Sequence, residues 1–193
     1  MEEIEAGKTT FIHESAYVDE GCKLGERVKV WHFSHIMGKA IIGDDCVIGQ
    51  NVFIADDVIV GIGCKIQNNV SLYAGLRLGD YVFCGPSCVF TNVINPRADV
   101  DRKQEFRLTK IGLGATIGAN ATVICGNKIG KYAFIAAGAV VTRPVADFAL
   151  MKGMPARRVG WISRAGSILK KDLICHPTGV RYKQIAENLL IEI

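Results

Sequence analysis

Asn92 and the stretch after it hold the densest set of side chains able to act on a small polar ligand. Arg97, Arg102, Lys103, Arg107 and Lys110 all fall within eighteen residues of that asparagine. An amide can orient a reacting group by hydrogen bonding, but it cannot serve as a base at neutral pH. The cations suit carboxylate or phosphate groups, although half or more of such loop charges are expected simply to be solvated. His32 and His35 offer imidazoles, the most frequent general bases. Their His-x-x-His spacing also occurs at metal sites, but with four histidines and no third ligand no metal site is expected. Lys65 precedes the polar run Gln67-Asn68-Asn69, and Arg157 and Arg158 form a basic pair after the repeat. The cysteine count is odd, at seven, and no Cys-x-x-Cys occurs. Neither a disulfide framework nor a zinc site is expected from them.

These residues sit on a repeat. Steps of six from Ile12 reach Val18, Leu24, Val30, Ile36, Ile42 and so on to Phe90; the step resumes at Ile111 and runs to Val141. Of these twenty hexads, eighteen begin with Ile, Leu or Val, and seventeen carry Ala, Cys, Val or Ser at the fifth position. Glycine fills the second position in nine. The first and fifth positions, two apart across a hexad boundary, point to the same side of a short strand. The expectation is an inward column of large and small side chains, with glycine allowing a sharp bend. Three strands and three bends close a coil of eighteen residues, and each strand pairs with the one eighteen residues on. Such coils stack into a parallel β-helix. Cys22, Cys46, Cys64 and Cys88 fall at fifth positions and Cys84 at a first, so all five are expected as small core fillers. Cys125 falls at a bend and Cys175 in the tail, where exposure is possible.

Composition agrees with this reading. The chain has 193 residues, a net charge of +4 and 49% hydrophobic residues, with 21 glycines against five prolines. It is expected to be soluble and cytoplasmic, since residues 1–10 do not read as a secretory signal and no apolar run reaches eighteen. No run of five Lys or Arg occurs, which argues against nucleic acid as the ligand. The expected organisation is an N-terminal extension over 1–11, a β-helix over 12–146 with a loop at 96–110, and a C-terminal extension over 147–193. Long loops that leave a regular scaffold are usually functional.

The hexads resemble those of the hexapeptide-repeat acyltransferases, as do Ala137-Gly138-Ala139-Val140-Val141-Thr142 and Gly153-Met154-Pro155-Ala156-Arg157. That resemblance implies an all-β fold, a left-handed parallel β-helix with one long loop and a short C-terminal extension. A narrower resemblance spans most of the chain: Trp31-His32, Gly49-Gln50-Asn51-Val52, Lys65 to Ser71, Phe83 to Ser87, Phe90 to Val93, Asn95 to Ala98, and Val159-Gly160-Trp161. With the tail from Cys175 to Tyr182, it is most similar to the UDP-2-acetamido-3-amino-2,3-dideoxy-glucuronate N-acetyltransferases of O-antigen sugar synthesis.

The resemblance implies acetyl-CoA as cosubstrate, a UDP-linked amino sugar as acceptor, no metal, and a homotrimer with sites between neighbours. It places Asn92 beside the reacting amine. Lys65, Gln67, Asn69, Arg97 and His32 are the expected substrate contacts. Gly118, Ala119, Ala136, Ala137, Gly138 and Arg157 are the expected cofactor contacts, small side chains leaving room for the pantetheine arm. A dTDP-3-amino-6-deoxyhexose is the alternative acceptor. A non-catalytic β-helical scaffold and a metal-dependent hydratase are the readings from other classes.

Overall fold

The computed structural model describes residues 9–193; residues 1–8 of the expected N-terminal extension lie outside the described residues. From Phe11 onward, strands of two or three residues follow one another at intervals of about six and divide among three parallel faces. The first face begins Phe11–Ile12, Lys29–Val30, Val47–Ile48; the second begins Tyr17–Val18, His35–Ile36; the third begins Lys23–Leu24, Ile41–Ile42. Pairing runs at a register of eighteen, as in Lys29↔Val47 and Lys65↔Phe83. Across the interruption the partner lies thirty-three residues on, the eighteen of a coil and the fifteen of the excursion, as in Leu78↔Ile111. The excursion therefore leaves one coil and rejoins it in register. It contains a single 3₁₀ turn, Lys103–Glu105, and no buried residue in that turn.

First-position aliphatics from Val30 to Val141 form the central column, with Ile36, Ile48, Ile54, Ile66, Leu72, Ile117 and Ile135 fully buried. Burying one such side chain stabilises by about 1.5–3 kcal/mol relative to leaving it exposed. Ile12, in the first described coil, has no coil before it among the described residues and is 44% exposed. Cys46, Cys64, Cys84 and Cys88 are buried fillers and Cys22 is half-buried. Cys125 and Cys175 are buried as well, against the possibility of exposure that their positions left open. Hydrogen bonding to Cys46 and burial push the Cys64 thiol up, and the bond to Cys88 and burial do the same to Cys84. These thiols are packing groups.

The glycines act differently from the sequence expectation. None of the nine second-position glycines has a positive φ. Their constraint is contact between coils: a Cβ on Gly43 would lie 2.8 Å from the carbonyl carbon of Gly61, and one on Gly49 2.9 Å from the backbone nitrogen of Asn68. The left-handed conformation falls instead at the fourth position, two residues later. It is taken by Asp45, Asn51, Asn69, Ser87 and Asn120, and by bulky Phe33, Tyr81 and Tyr132. Asn and Asp tolerate that region; the aromatic residues are held there by the hydrogen bonds of the stack.

The far end is closed. Ala149–Lys152 pairs in parallel with Phe134–Ile135 as a last strand of the first face, extending the stack beyond residue 146. The chain then reverses: Arg157–Ile162 pairs antiparallel with Ala149–Lys152, and Ile168–Leu169 with Arg157–Ile162. A separate hairpin, Tyr182–Ala186 with Leu189–Glu192, completes the described chain. Tyr132, Phe148 and Tyr182 pack ring on ring at centroid distances of 5.4 Å, covering the end of the core.

If coil contact is the constraint at the second position, Gly43→Ala should cost about 1–3 kcal/mol as an overpacking change. Thermal denaturation should register about 2–4 °C for each kcal/mol in a chain of this length. Gly160, where an added Cβ meets nothing within 4 Å, is the control, and equal midpoints for Gly43→Ala and Gly160→Ala would contradict the account.

Candidate functional site

Eight of the twelve expected site residues share one edge. The bend between the first and second faces carries His32 in one coil, Gln67 and Asn69 two coils on, then Gly118 and Ala119, and finally Ala136, Ala137 and Gly138. Along this edge, each left-handed residue donates its N–H to the carbonyl of the third-position residue in the preceding coil. The bonds are Asn51 to His32 (2.9 Å), Asn69 to Gln50 (3.0 Å), Ser87 to Asn68 (3.0 Å), Asn120 to Pro86 (3.0 Å) and Gly138 to Ala119 (2.9 Å). Side chains join the ladder: Asn51 Nδ2 donates to Asn69 Oδ1 at 3.0 Å, and the Gln50 N–H to Asn68 Oδ1 at 2.9 Å. Part of the polar run thus serves the stack itself. Gly118 is also a stacking residue, since a Cβ there would lie 2.5 Å from the Ala137 nitrogen. Gly138 differs, with open space where its Cβ would be, and Ala137 beside it is exposed. A thin acyl-bearing chain could lie along that strip. Lys65 is exposed on the first face, just before this edge.

Asn92 and Arg97 stand on a different edge, the bend between the second and third faces, where the excursion leaves. The Asn92 carbonyl accepts from the Arg107 N–H at 2.9 Å, so the two ends of the excursion are tied together at this residue. Side-chain oxygens brace the neighbouring backbone. Thr91 Oγ1 accepts from the Cys125 N–H at 2.9 Å, Thr109 Oγ1 accepts from the Gly126 N–H at 3.0 Å, and Asn127 Nδ2 donates to the Ile124 carbonyl at 2.8 Å. A half-buried Asn92 is therefore presented on a fixed backbone at the foot of a loop. The loop encloses a concavity of about 540 Å³ lined by Arg97, Asp99, Asp101, Arg102 and Lys103, among others. Arg102 is paired internally with Glu105 at 2.8 Å; among the described residues Arg97, Lys103, Arg107 and Lys110 make no ion pair.

The histidines are separated by their coil. His32 stacks on His13 at a centroid distance of 3.5 Å, whereas His35 points from the second face and bonds Asp19 Oδ1 through Nε2 at 3.0 Å. The two therefore have different partners, and among the described residues no group of three metal-ligating side chains converges. Arg157 is exposed on the reversing strand, its Nη1 donating to the Ala156 carbonyl at 3.1 Å.

Residues 21–56 match the family model described as bacterial transferase hexapeptide (six repeats), and residues 39–74 and 109–143 match the hexapeptide repeat of succinyl-transferase. Over 181 residues the chain is 40% identical to a dTDP-3-amino-3,6-dideoxy-alpha-D-galactopyranose 3-N-acetyltransferase of Aneurinibacillus thermoaerophilus, covering 92% of this chain and 93% of that protein. The chain belongs to the hexapeptide-repeat acetyltransferases. PerB of Caulobacter crescentus, solved with CoA and GDP-perosamine, is similar at 26% identity and a TM-score of 0.51, over 79% of this chain and 57% of that one. A hexapeptide transferase family protein of Anaplasma phagocytophilum matches in fold, with 21% identity, a TM-score of 0.54 and 80% of each chain covered.

For this hexapeptide-repeat acetyltransferase, the hand of the coil is the left hand of its repeat. The braces Thr91, Thr109 and Asn127 carried a faint sequence signal: Asn127 breaks the small-apolar rule of the fifth position, and Thr109 takes the place of a fifth residue on rejoining. Arg143 and Asn188, which line a hollow with Arg157 and Arg158, carried none.

Thr91→Val keeps the shape of the side chain but leaves the buried Cys125 N–H without its acceptor, at a cost of about 1–3 kcal/mol. Urea unfolding should register that loss, and turnover should fall with it because Asn92 adjoins the freed segment. Unchanged stability would show that the brace is not needed.

Proposed function

We propose that this chain is an acetyl-CoA-dependent N-acetyltransferase that acetylates the 3-amino group of a nucleotide-linked amino sugar. The observation that carries the reading is the 40% identity, over 92% of the chain, to an enzyme named for that transfer. The open strip at Ala137 and Gly138 and the clamped Asn92 support it.

The neutral amine nitrogen attacks the thioester carbonyl carbon, forming the C–N bond as the carbonyl oxygen takes up charge. Collapse breaks the C–S bond, and coenzyme A leaves as thiolate. The proton lost by the amine goes to that thiolate or to solvent. Asn92 orients the amine by hydrogen bonding, a contribution made by alignment and not by proton transfer. Pantetheine lies along Ala136, Ala137 and Gly138 beside Gly118 and Ala119, with Arg157 meeting a phosphate. Lys65, Gln67, Asn69, His32 and Arg97 contact the nucleotide sugar.

The expected cofactor strip and Asn92 lie on two edges of one prism, flanking the second face. Among the described residues a monomer then offers an edge and a loop on separate sides of that face. Packing three chains side by side, so that the edge of one meets the loop of the next, completes the site; the homotrimer is part of this proposal. So is a cytoplasmic location, where both substrates are made.

The acceptor we propose is UDP-linked 2-acetamido-3-amino-2,3-dideoxy-glucuronic acid. The cations of the excursion that make no ion pair among the described residues support it, because a uronate adds a carboxylate to the charge of the diphosphate. The name of the 40% identical relative favours a second reading, a dTDP-linked 3-amino-dideoxyhexose. Release of free thiol from acetyl-CoA, followed with each sugar nucleotide in turn, separates them. Turnover with the UDP amino uronate is expected; release with the dTDP sugar alone would replace the first reading by the second. No release with either would refute the transfer. In the same assay, Asn92→Ala should lower turnover about 10²-fold, the scale of a lost alignment, while Cys125→Ala stays near wild type. Equal rates would remove Asn92 from the mechanism.

A further inference from the structure

Among the described residues, Arg143, Arg157 and Arg158 form no ion pair with a carboxylate. All three line one hollow of about 160 Å³ at the closed end of the prism, whose remaining wall is apolar apart from Asn188. Three guanidiniums around one hollow repel one another unless an anion joins them. A phosphomonoester carries about −1.5 to −2 charges and three acceptor oxygens, which suits forked donors better than a single carboxylate does.

Arg158 is held in place by the C-terminal hairpin. Its guanidinium carbon lies 4.2 Å from the centroid of the Trp161 ring, and its Nη2 donates to the Glu187 carbonyl at 2.9 Å. Gln184 connects both supports: Nε2 donates to that same Glu187 carbonyl at 3.2 Å, and Oε1 accepts from Trp161 Nε1 at 3.3 Å. Gln184 itself is exposed and lies outside the lining of the hollow. The turn of the same hairpin supplies Asn188. The tail thus fixes one arginine and adds one polar group to a pocket whose other cations come from the end of the repeat and the reversing strand.

We propose that the C-terminal hairpin sets a phosphate pocket: Gln184 is a positioning residue that holds Arg158 beside Arg143 and Arg157 to receive the 3′-phosphomonoester of coenzyme A. The identity of the ligand rests on the acetyltransferase reading; the control of Arg158 by the hairpin does not.

Calorimetric affinities for coenzyme A, 3′-dephospho-coenzyme A and adenosine 3′,5′-bisphosphate test this on the full chain and on its Gln184→Ala and Arg158→Gln variants. Wild type should prefer coenzyme A over the dephospho form by about tenfold or more, the scale of a charge-assisted hydrogen bond. Arg158→Gln should abolish the preference. Gln184→Ala should narrow it several-fold without changing the thermal midpoint or the KM for the sugar nucleotide, a pattern that general loosening would not give. Equal wild-type affinities for the two coenzymes would overturn the pocket, and an unchanged ratio in Gln184→Ala would overturn the role of the hairpin. Gln184-dependent binding of the bisphosphate without coenzyme A binding would support the pocket while refuting the acetyltransferase reading.

Discussion

Parallel strands in one sheet sit about 4.8 Å apart, and in this molecule every coil meets the next at that spacing along its whole perimeter. Most other features follow from this constraint. Where the bends of successive coils touch, a Cβ at Gly43, Gly61 or Gly130 would press into backbone within 3 Å. Two residues later the chain turns through the left-handed region, whichever side chain is there. Inside, no space remains for anything except a column of aliphatics alternating with small residues. The fold is regular because the contact between coils is backbone on backbone and leaves little room to vary.

Such a scaffold has consequences for chemistry. Equivalent positions in successive coils stack directly, so residues far apart in sequence become neighbours along an edge, as His32, Gln50 and Asn68 do. The interior is filled by the stacked side chains. Ligand contacts must therefore be built outside the stack, on exposed edges, in an interruption, or at an end. The contacts proposed for this chain fall in all three places: the strip around Gly138, the clamped excursion at Asn92, and the arginine hollow closed by the tail. The excursion is compatible with the stack only because Thr91, Thr109, Asn127 and the Asn92 carbonyl accept or donate the bonds needed where the loop leaves and rejoins.

The period of six carried most of the fold in the sequence, since a two-sided pattern repeated twenty times has one economical packing. The pattern located the edge residues and the excursion, and it identified the buried cysteines at first and fifth positions. It misassigned the reason for glycine: the pattern marks where a Cβ is excluded but does not distinguish a tight turn from a close neighbour eighteen residues away. It was silent on the C-terminal end, where the repeat stops and non-repeating contacts decide the structure. Arg158, Trp161 and Gln184 meet only because the chain reverses and a hairpin returns, and no spacing rule relates them. Family resemblance supplied the chemistry for Asn92 and for the wall from Ala136 to Gly138. The structure itself supplied an asparagine on a clamped backbone, beside cations that make no ion pair among the described residues.

In the proposed transfer an amine is aligned by Asn92 against a thioester carried along the other edge of a neighbouring prism. The most direct measurement is a crystal structure of the protein with coenzyme A and the amino sugar nucleotide bound together. The account predicts the 3-amino nitrogen within about 3 Å of the Asn92 side chain, a hydrogen-bonding distance, with pantetheine beside Ala137 and Gly138 of an adjacent chain. An amine held away from Asn92, or both ligands contained within one chain, would contradict it.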